Sequence, residues 1–214
     1  VASFRDRSDA GRRLVGPAAA ELPAGEPVTV VGLPRGGVLV GAALVEGLRA
    51  LGWTARLDLV VVAKVLAPEF PELALGAVTA HTTVRSRATR HVPGVDDARY
   101  AALTAEARRR LADRAAALPE PRVPADGSVL LVDDGLATGS TVEAAVAELR
   151  AVHPGWLGLV VPVADASAWA RVRPLVDGGT ALLQRTPMRA VSVDYADFTQ
   201  LADDVVRAAL ARWG

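Results

Sequence analysis

The sequence predicts an α/β fold built on a doubly wound, mainly parallel sheet. Two observations carry that expectation. Short apolar, β-rich runs alternate with longer segments of helical periodicity along the whole chain, the pattern of successive βα units. The run from Leu57 to Val65 is apolar on both faces, as a strand covered by helices on two sides must be.

Taken in order, Ala10 to Leu22 reads as an amphipathic helix closed by Pro23 and Gly25. Val28 to Gly32 is a short buried strand, and Val38 to Leu51 a helix stopped by Gly52. After the Leu57–Val65 strand, Leu66 to Glu72 carries two prolines and reads as a loop, followed by strands over Leu75–Thr79 and Thr82–Val84. Asp96 to Leu118 is the longest helix, ended by Pro119, Pro121 and Pro124. Val129 to Val132 is a strand and Thr141 to Val152 its helix. A strand over Leu157–Val163, a short helix over Ser167–Val172, a strand over Thr180–Leu183 and a helix from about Leu201 to Arg212 complete the chain.

Composition narrows the function classes. With 214 residues the chain reads as one domain, 1–214, burying roughly 70% of its unfolded surface. Twenty-four basic residues balance 24 acidic ones, which argues against a nucleic-acid or anionic-membrane partner. The absence of cysteine removes disulfides, thiolate metal sites and cysteine nucleophiles. No apolar run has membrane-spanning length, and the charged start Val1-Ala2-Ser3-Phe4-Arg5-Asp6-Arg7 lacks the apolar core of a secretory signal, so a cytoplasmic location is expected. Isoleucine and asparagine are missing, and Lys64 is the single lysine beside 23 arginines, the bias of a GC-rich genome.

Ligands of doubly wound sheets bind at the carboxyl ends of the strands, so three loops matter most. The first follows Val129–Val132 and reads Asp133-Asp134-Gly135-Leu136-Ala137-Thr138-Gly139-Ser140-Thr141. Its backbone N–H groups, with the hydroxyls of Thr138, Ser140 and Thr141, would surround a phosphate at a helix N-terminus. Asp133 and Asp134 are placed to accept hydrogen bonds from sugar hydroxyls or to position Mg2+. The loop is no Walker A motif, because the lysine before Ser/Thr is missing and the glycine spacing is one residue short. Read blandly, it is an acidic turn with a serine or threonine helix cap.

The second loop is Gly32-Leu33-Pro34-Arg35-Gly36-Gly37. Gly36 and Gly37 let the backbone approach a ligand closely, and Arg35 offers a planar, permanently charged fork to phosphate oxygens. It does not fit the G-x-G-x-x-G dinucleotide fingerprint. In the third, Ala63-Lys64-Val65-Leu66-Ala67-Pro68-Glu69-Phe70, a strand ends in a cation and runs into a proline-punctuated stretch suited to a mobile cover.

Residues 129–141 resemble the phosphoribosyl pyrophosphate (PRPP) motif of type I phosphoribosyltransferases. The resemblance implies that Asp133 and Asp134 hold the ribose hydroxyls and that Ala137, Thr138, Gly139, Ser140 and Thr141 bind the 5′-phosphate. It further implies that Arg35, Gly36 and Gly37 form a pyrophosphate loop and that the stretch after Lys64 is the flexible loop. A bacterial branch of this family is similar over nearly the whole chain, through Phe4-Arg5-Asp6-Arg7, Ala10-Gly11-Arg12 and the ending Tyr195-Ala196-Asp197-Phe198-Thr199-Gln200. Departures from that branch are Ala63 in place of an arginine, Leu66 in place of a glycine, and Glu69-Phe70 in place of Gly-Asn. These should stiffen the cover and weaken pyrophosphate contacts.

The implied activity is Mg2+-dependent transfer of the 5-phosphoribosyl group from PRPP to a nucleobase or small-molecule acceptor, with pyrophosphate released. Lys64, Arg35, Asp133 and Asp134 would be the catalytic residues, with the two aspartates also facing Mg2+. Ala137 stands where 6-oxopurine enzymes of this class carry an aspartate, which weighs against hypoxanthine or guanine. The family also implies a variable hood, here assigned to residues 1–25 and 184–214, and two-fold association. Tyr195 and Phe198 either stack on a planar acceptor or anchor the tail in the core. A second reading keeps the PRPP site in a non-catalytic, ligand-sensing regulatory protein.

Other features read as ordinary surface. Arg108-Arg109-Arg110 with Arg114 forms a basic helix face interleaved with Glu106 and Asp113, and a solvated face is preferred over an RNA site. His81, His91 and His153 have no metal-ligand spacing.

Overall fold

The structure, a computed structural model, describes residues 2–86, 92–124 and 127–214. Five strands form a parallel sheet: β1 (Val28–Gly32), β2 (Ala55–Leu59), β6 (Ser128–Val132), β7 (Trp156–Asp165) and β8 (Gly178–Arg185), in the order β2-β1-β6-β7-β8. Three more, β3 (Ala63–Ala67), β4 (Phe70–Val78) and β5 (Thr83–Arg85), make a small antiparallel sheet. The helices are α1 (Arg7–Glu21), α2 (Gly36–Ala50), α3 (Asp97–Ala116), α4 (Ser140–Ala151), α5 (Ala166–Val172) and α6 (Asp203–Trp213). No described helix is long and apolar enough to cross a membrane.

Every residue of β1 and β6 is buried, because alternate side chains of each strand enter different cores. Val30 and Leu130 pack with Leu14, Leu44 and Val206 from α1, α2 and α6. Val31 and Leu131 pack with Val142, Val146 and Ala168 from α4 and α5. Each leucine or valine buried this way contributes about 1.5–3 kcal/mol. Helices thus cover both faces, and the doubly wound architecture is the observed one.

Sheet register sets the site. Val28 pairs with Ser128 and Gly32 with Val132, so β1 and β6 end side by side at one level. From there α2 carries the chain outward to β2, while α4 carries it the opposite way to β7. This divergence opens the crevice in which doubly wound sheets bind ligands.

The structure departs from the sequence expectation at two places. The Leu57–Val65 run is two strands in two sheets: β2 stops at Leu59, and β3 begins at Ala63. Val60, Val61 and Val62 cross between them and stay buried, so apolarity alone does not mark the break. The 66–72 stretch is a β-hairpin with its turn at Pro68 and Glu69, and Ala67 pairs with Phe70. Its register jumps between Ala67 and Leu66, which pairs with Ala74, interrupting the ladder within the proline-bearing stretch. The small sheet packs against α3 and α4.

Helix α1 lies close on α2 because Gly11 has no side chain. A Cβ there would sit 2.4 Å from the Val40 carbonyl oxygen and 2.8 Å from the Ala43 Cβ. Gly16 of the same helix is exposed, and a Cβ there would meet nothing within 4 Å. Gly11→Ala is therefore expected to cost about 1–3 kcal/mol as the helices are forced apart. Gly16→Ala should change stability by less than about 1 kcal/mol, its gain in helix propensity opposed by the following Pro17. Thermal melts of the two variants check the contrast, and equal melting points would refute it.

Candidate functional site

The loops after β1 and β6 meet where the register predicts. The Leu33 N–H donates to the Val132 carbonyl at 3.0 Å, tying the first residue of one loop to the last strand residue before the other. A Cβ on Gly37 would lie 2.6 Å from the Val132 carbonyl oxygen and 3.0 Å from the Asp133 Cα. One on Gly36 would lie 1.8 Å from Asp134 Oδ2. Both glycines are thus demanded by close approach of the two loops.

Above this junction is a cavity of about 560 Å3 lined by Arg7, Pro34, Arg35, Gly36, Arg114, Asp133, Asp134, Phe198, Gln200 and Leu201. Four of the sequence-derived site residues and the ring of Phe198 therefore share one space. The phosphate-loop residues follow directly after it. Leu136 is buried and pins that loop to β7, its N–H donating to the Val163 carbonyl and its carbonyl accepting from the Asp165 N–H. Ala137 and Thr138 are left exposed, and Gly139 turns the chain at φ +79° into α4.

The helices begin in two ways. Helices α1, α3 and α5 are capped by the side chains of Asp6, Asp96 and Asp165. Helices α2 and α4 start from Arg35 and Gly139 without any side-chain cap, as α6 also does from Ala202. The serine or threonine cap of the bland reading is therefore not formed: Thr138 Oγ1 and Ser140 Oγ lie 3.2 Å from each other instead. First-turn N–H groups of α2 and α4 have no intrahelical acceptor, so both helices begin with free donors and a positive dipole end, and Gly36 at the start of α2 lines the cavity.

Charge in the cavity is concentrated. Asp134 keeps a small solvent contact, its side chain 17% exposed, yet both carboxylates sit deep among protein atoms. Burial, and then the charge of Asp134, push the Asp133 carboxyl well above the usual carboxylate range, against the opposing Asp134 N–H, Lys64 and Arg7. Burial also raises Asp134, opposed by the hydrogen bond and charge of Arg7.

Arg7 is a site residue that motif reasoning missed. Its Nε donates to Asp134 Oδ2 at 2.8 Å, and its guanidinium lies 3.8 Å from the centre of the Phe198 ring. Tyr195 is placed differently from the stacking expectation. Its ring is buried between Phe4 and Phe198, and its hydroxyl donates to the Asp134 carbonyl at 2.6 Å. Burial first, then the charge of Asp134, raises its pKa. Tyr195 therefore anchors the tail and is not free to stack on an acceptor.

The two chain ends are joined beside the site. The Ala196 and Asp197 N–H groups donate to the carbonyls of Phe4 and Arg5, each at 2.8 Å, and Ser3 Oγ donates to Asp194 Oδ1 at 2.9 Å. Arg114 also departs from its expected solvated face: its Nη2 donates to the Pro34 carbonyl at 2.8 Å, and it lines the cavity. Lys64 is exposed and is not among the cavity-lining residues, although its charge acts on Asp133. Arg35 Nε lies 3.0 Å from Asp203 Oδ1, and its Nη1 donates to the Leu201 carbonyl. His81 pairs with Glu148 at 2.7 Å, His153 is exposed, and His91 lies outside the described residues.

Mg2+ prefers hard oxygen donors, which Asp133 and Asp134 supply. Among the described residues no group of three or more His, Asp or Glu is assembled to hold a metal. Asp133 and Asp134 are thus the residues of this cavity that would offer oxygen donors to such an ion.

Comparison with known proteins identifies relatives. The model of the phosphoribosyl transferase domain family matches residues 9–195. A Mycobacterium tuberculosis H37Rv protein, provisionally named a phosphoribosyl transferase, is 38% identical over 216 residues, covering 98% of this chain and 46% of the relative. The chain therefore spans about half the length of the curated relatives it matches. The crystal structure of TT1426 from Thermus thermophilus is similar at a TM-score of 0.75, with 36% identity and 98% of each chain covered. The Leishmania donovani hypoxanthine-guanine phosphoribosyl transferase shares the fold alone, at a TM-score of 0.50 and 12% identity over 91% of this chain and 88% of the other.

The raised carboxyls give a stability test. Asp133→Asn removes a buried charge but keeps an oxygen to accept the Asp134 N–H, a bond of 2.9 Å. A carboxyl with a raised pKa in the fold costs no stability below its unfolded value of about 4 and progressively more as pH rises through the folded value. Asp133→Asn should therefore melt above wild type near neutral pH, at about 2–4 °C per kcal/mol relieved. The gap should close toward pH 4 (about the unfolded value). A variant melting at or below wild type throughout would show that the carboxylate is held ionised.

Proposed function

The chain belongs to the phosphoribosyl transferase family, and from that premise we propose that it moves the 5-phosphoribosyl group of PRPP to a nucleobase or small-molecule acceptor, with Mg2+ as cofactor. The observation that supports this reading is that the loops after β1 and β6 bring two half-buried carboxylates against a close-approach glycine pair and begin two uncapped helices.

In this reading Asp133 and Asp134 accept hydrogen bonds from the ribose hydroxyls. Residues Ala137, Thr138, Gly139, Ser140 and Thr141 hold the 5′-phosphate through backbone donors and hydroxyls at the start of α4. Arg35, with the N–H groups of Gly36 and Gly37, takes the pyrophosphate. The acceptor lone pair forms a bond to C1 as the C1–O bond breaks, its electrons leaving with pyrophosphate. The ring is cationic in the transition state, so carboxylates fixed beside the sugar favour it over the neutral ground state.

Mg2+, when bound, would neutralise pyrophosphate charge beside Asp133 and Asp134. Arg7 balances the carboxylates and fixes the Asp134 rotamer, while Phe198 holds Arg7 in place. Lys64 supplies long-range positive charge and would meet the leaving group only by swinging over the cavity. Ala137 cannot exchange a proton with a base, so an acceptor must lose its proton by another route.

Calorimetric titration with PRPP, with and without Mg2+, is the direct test. Binding should require Mg2+ and weaken more than about 100-fold in Asp133→Asn with Asp134→Asn, which removes several charge-assisted bonds at once. Lys64→Ala should lower turnover by about 10- to 1,000-fold while leaving PRPP affinity nearly intact. Wild-type affinity in the double variant would sink the site assignment. PRPP binding with no pyrophosphate release from any acceptor would favour a ligand-sensing protein over an enzyme.

A further inference from the structure

We propose that Arg114, delivered by α3, is a second pyrophosphate-binding guanidinium that works beside Arg35. The identity of the anion rests on the phosphoribosyl transfer reading above; the cation pair itself does not.

The geometry is that of a fork only partly used. Arg114 Nη2 donates to the Pro34 carbonyl at 2.8 Å, which pins the side chain at the residue before Arg35. Its Nε is buried and has no hydrogen-bond partner among the described residues. Of the other arginines of α3, Arg108 donates to Thr83 Oγ1, and Arg110 pairs with Glu106 and donates to the Lys64 carbonyl, while Arg99 and Arg109 are exposed and do not line this cavity. Arg114 faces the space that also holds Arg35, Gly36, Asp133 and Asp134.

Arg7 is paired with Asp134, so Arg35 and Arg114 are left to a single nearby carboxylate. Asp203 is the carboxylate beside both guanidiniums. Its Oδ1 lies 3.0 Å from Arg35 Nε but outside hydrogen-bond alignment, so it is a loose partner. Burial, and then the charge of Arg35, lower the Arg114 pKa, while Asp203 opposes them. Two guanidiniums sharing one poorly aligned carboxylate are stabilised by an anion carrying more than one charge. A purely structural tie between α3 and the β1 loop would need only the bond to Pro34, for which a neutral donor suffices.

The test separates the two ends of the substrate. Wild type, Arg114→Ala, Arg114→Lys and Arg114→Gln are titrated calorimetrically with inorganic pyrophosphate and with ribose 5-phosphate, each with Mg2+, and melting points are taken alongside. Arg114→Ala should weaken pyrophosphate by about 10- to 100-fold, the loss of charge-assisted bonds, and ribose 5-phosphate by less than about twofold. Arg114→Lys should recover part of the loss. Should the alanine variant fail to fold, Arg114→Gln keeps a donor for the Pro34 carbonyl and still removes the charge, so the same selective loss is expected of it.

Equal weakening of both ligands, or undiminished pyrophosphate binding, overturns the proposal. So does wild-type protein that binds no pyrophosphate. Pyrophosphate binding that depends on Arg114, in a protein that ignores PRPP, supports the cation pair and removes the transferase reading. Aspartate-dependent PRPP binding indifferent to Arg114 does the reverse.

Discussion

Gly32 and Val132 are register partners at the carboxyl ends of adjacent parallel strands, and the chain leaves them in opposite directions. Two uncapped helices, α2 and α4, thereby begin from the loops that follow neighbouring strand ends. The residue choices around the crevice follow. Gly36 and Gly37 are small because Asp134 and the end of β6 occupy the volume a side chain would need.

Holding two carboxylates together in a buried place is unfavourable, and the surrounding structure moderates the cost without removing it. Arg7 meets Asp134, Phe198 covers Arg7, and the Tyr195 hydroxyl fixes the Asp134 backbone. All three residues belong to the chain ends, which are hydrogen-bonded to one another at Ser3–Arg5 and Asp194–Asp197. The segments expected to form a hood therefore also brace the acidic pair from behind.

Across the crevice the imbalance has the other sign. Arg35 and Arg114 lean on one loosely aligned carboxylate, Asp203. Carboxylates on one side and guanidiniums on the other suit a ligand with hydroxyls at one end and concentrated negative charge at the other. The phosphoribosyl transferase fold supplies the crevice, and the side chains give it this polarity.

Local patterns in the sequence determined most of the framework: the βα alternation, the strands over Val28–Gly32 and Val129–Val132, and the aspartate and glycine loops that follow them. Strand burial and turn chemistry act between residues near in sequence, so they leave a local record. Tertiary structure alone decided where the Leu57–Val65 run divides, because Val60–Val62 stay buried on both sides of the break. It also turned the proline-bearing 66–72 stretch into a hairpin. Arg7 reaching Asp134, Tyr195 turning inward and Arg114 reaching Pro34 join residues 127, 61 and 80 positions apart. Side-chain reach between elements depends on packing and register, and no local periodicity encodes it.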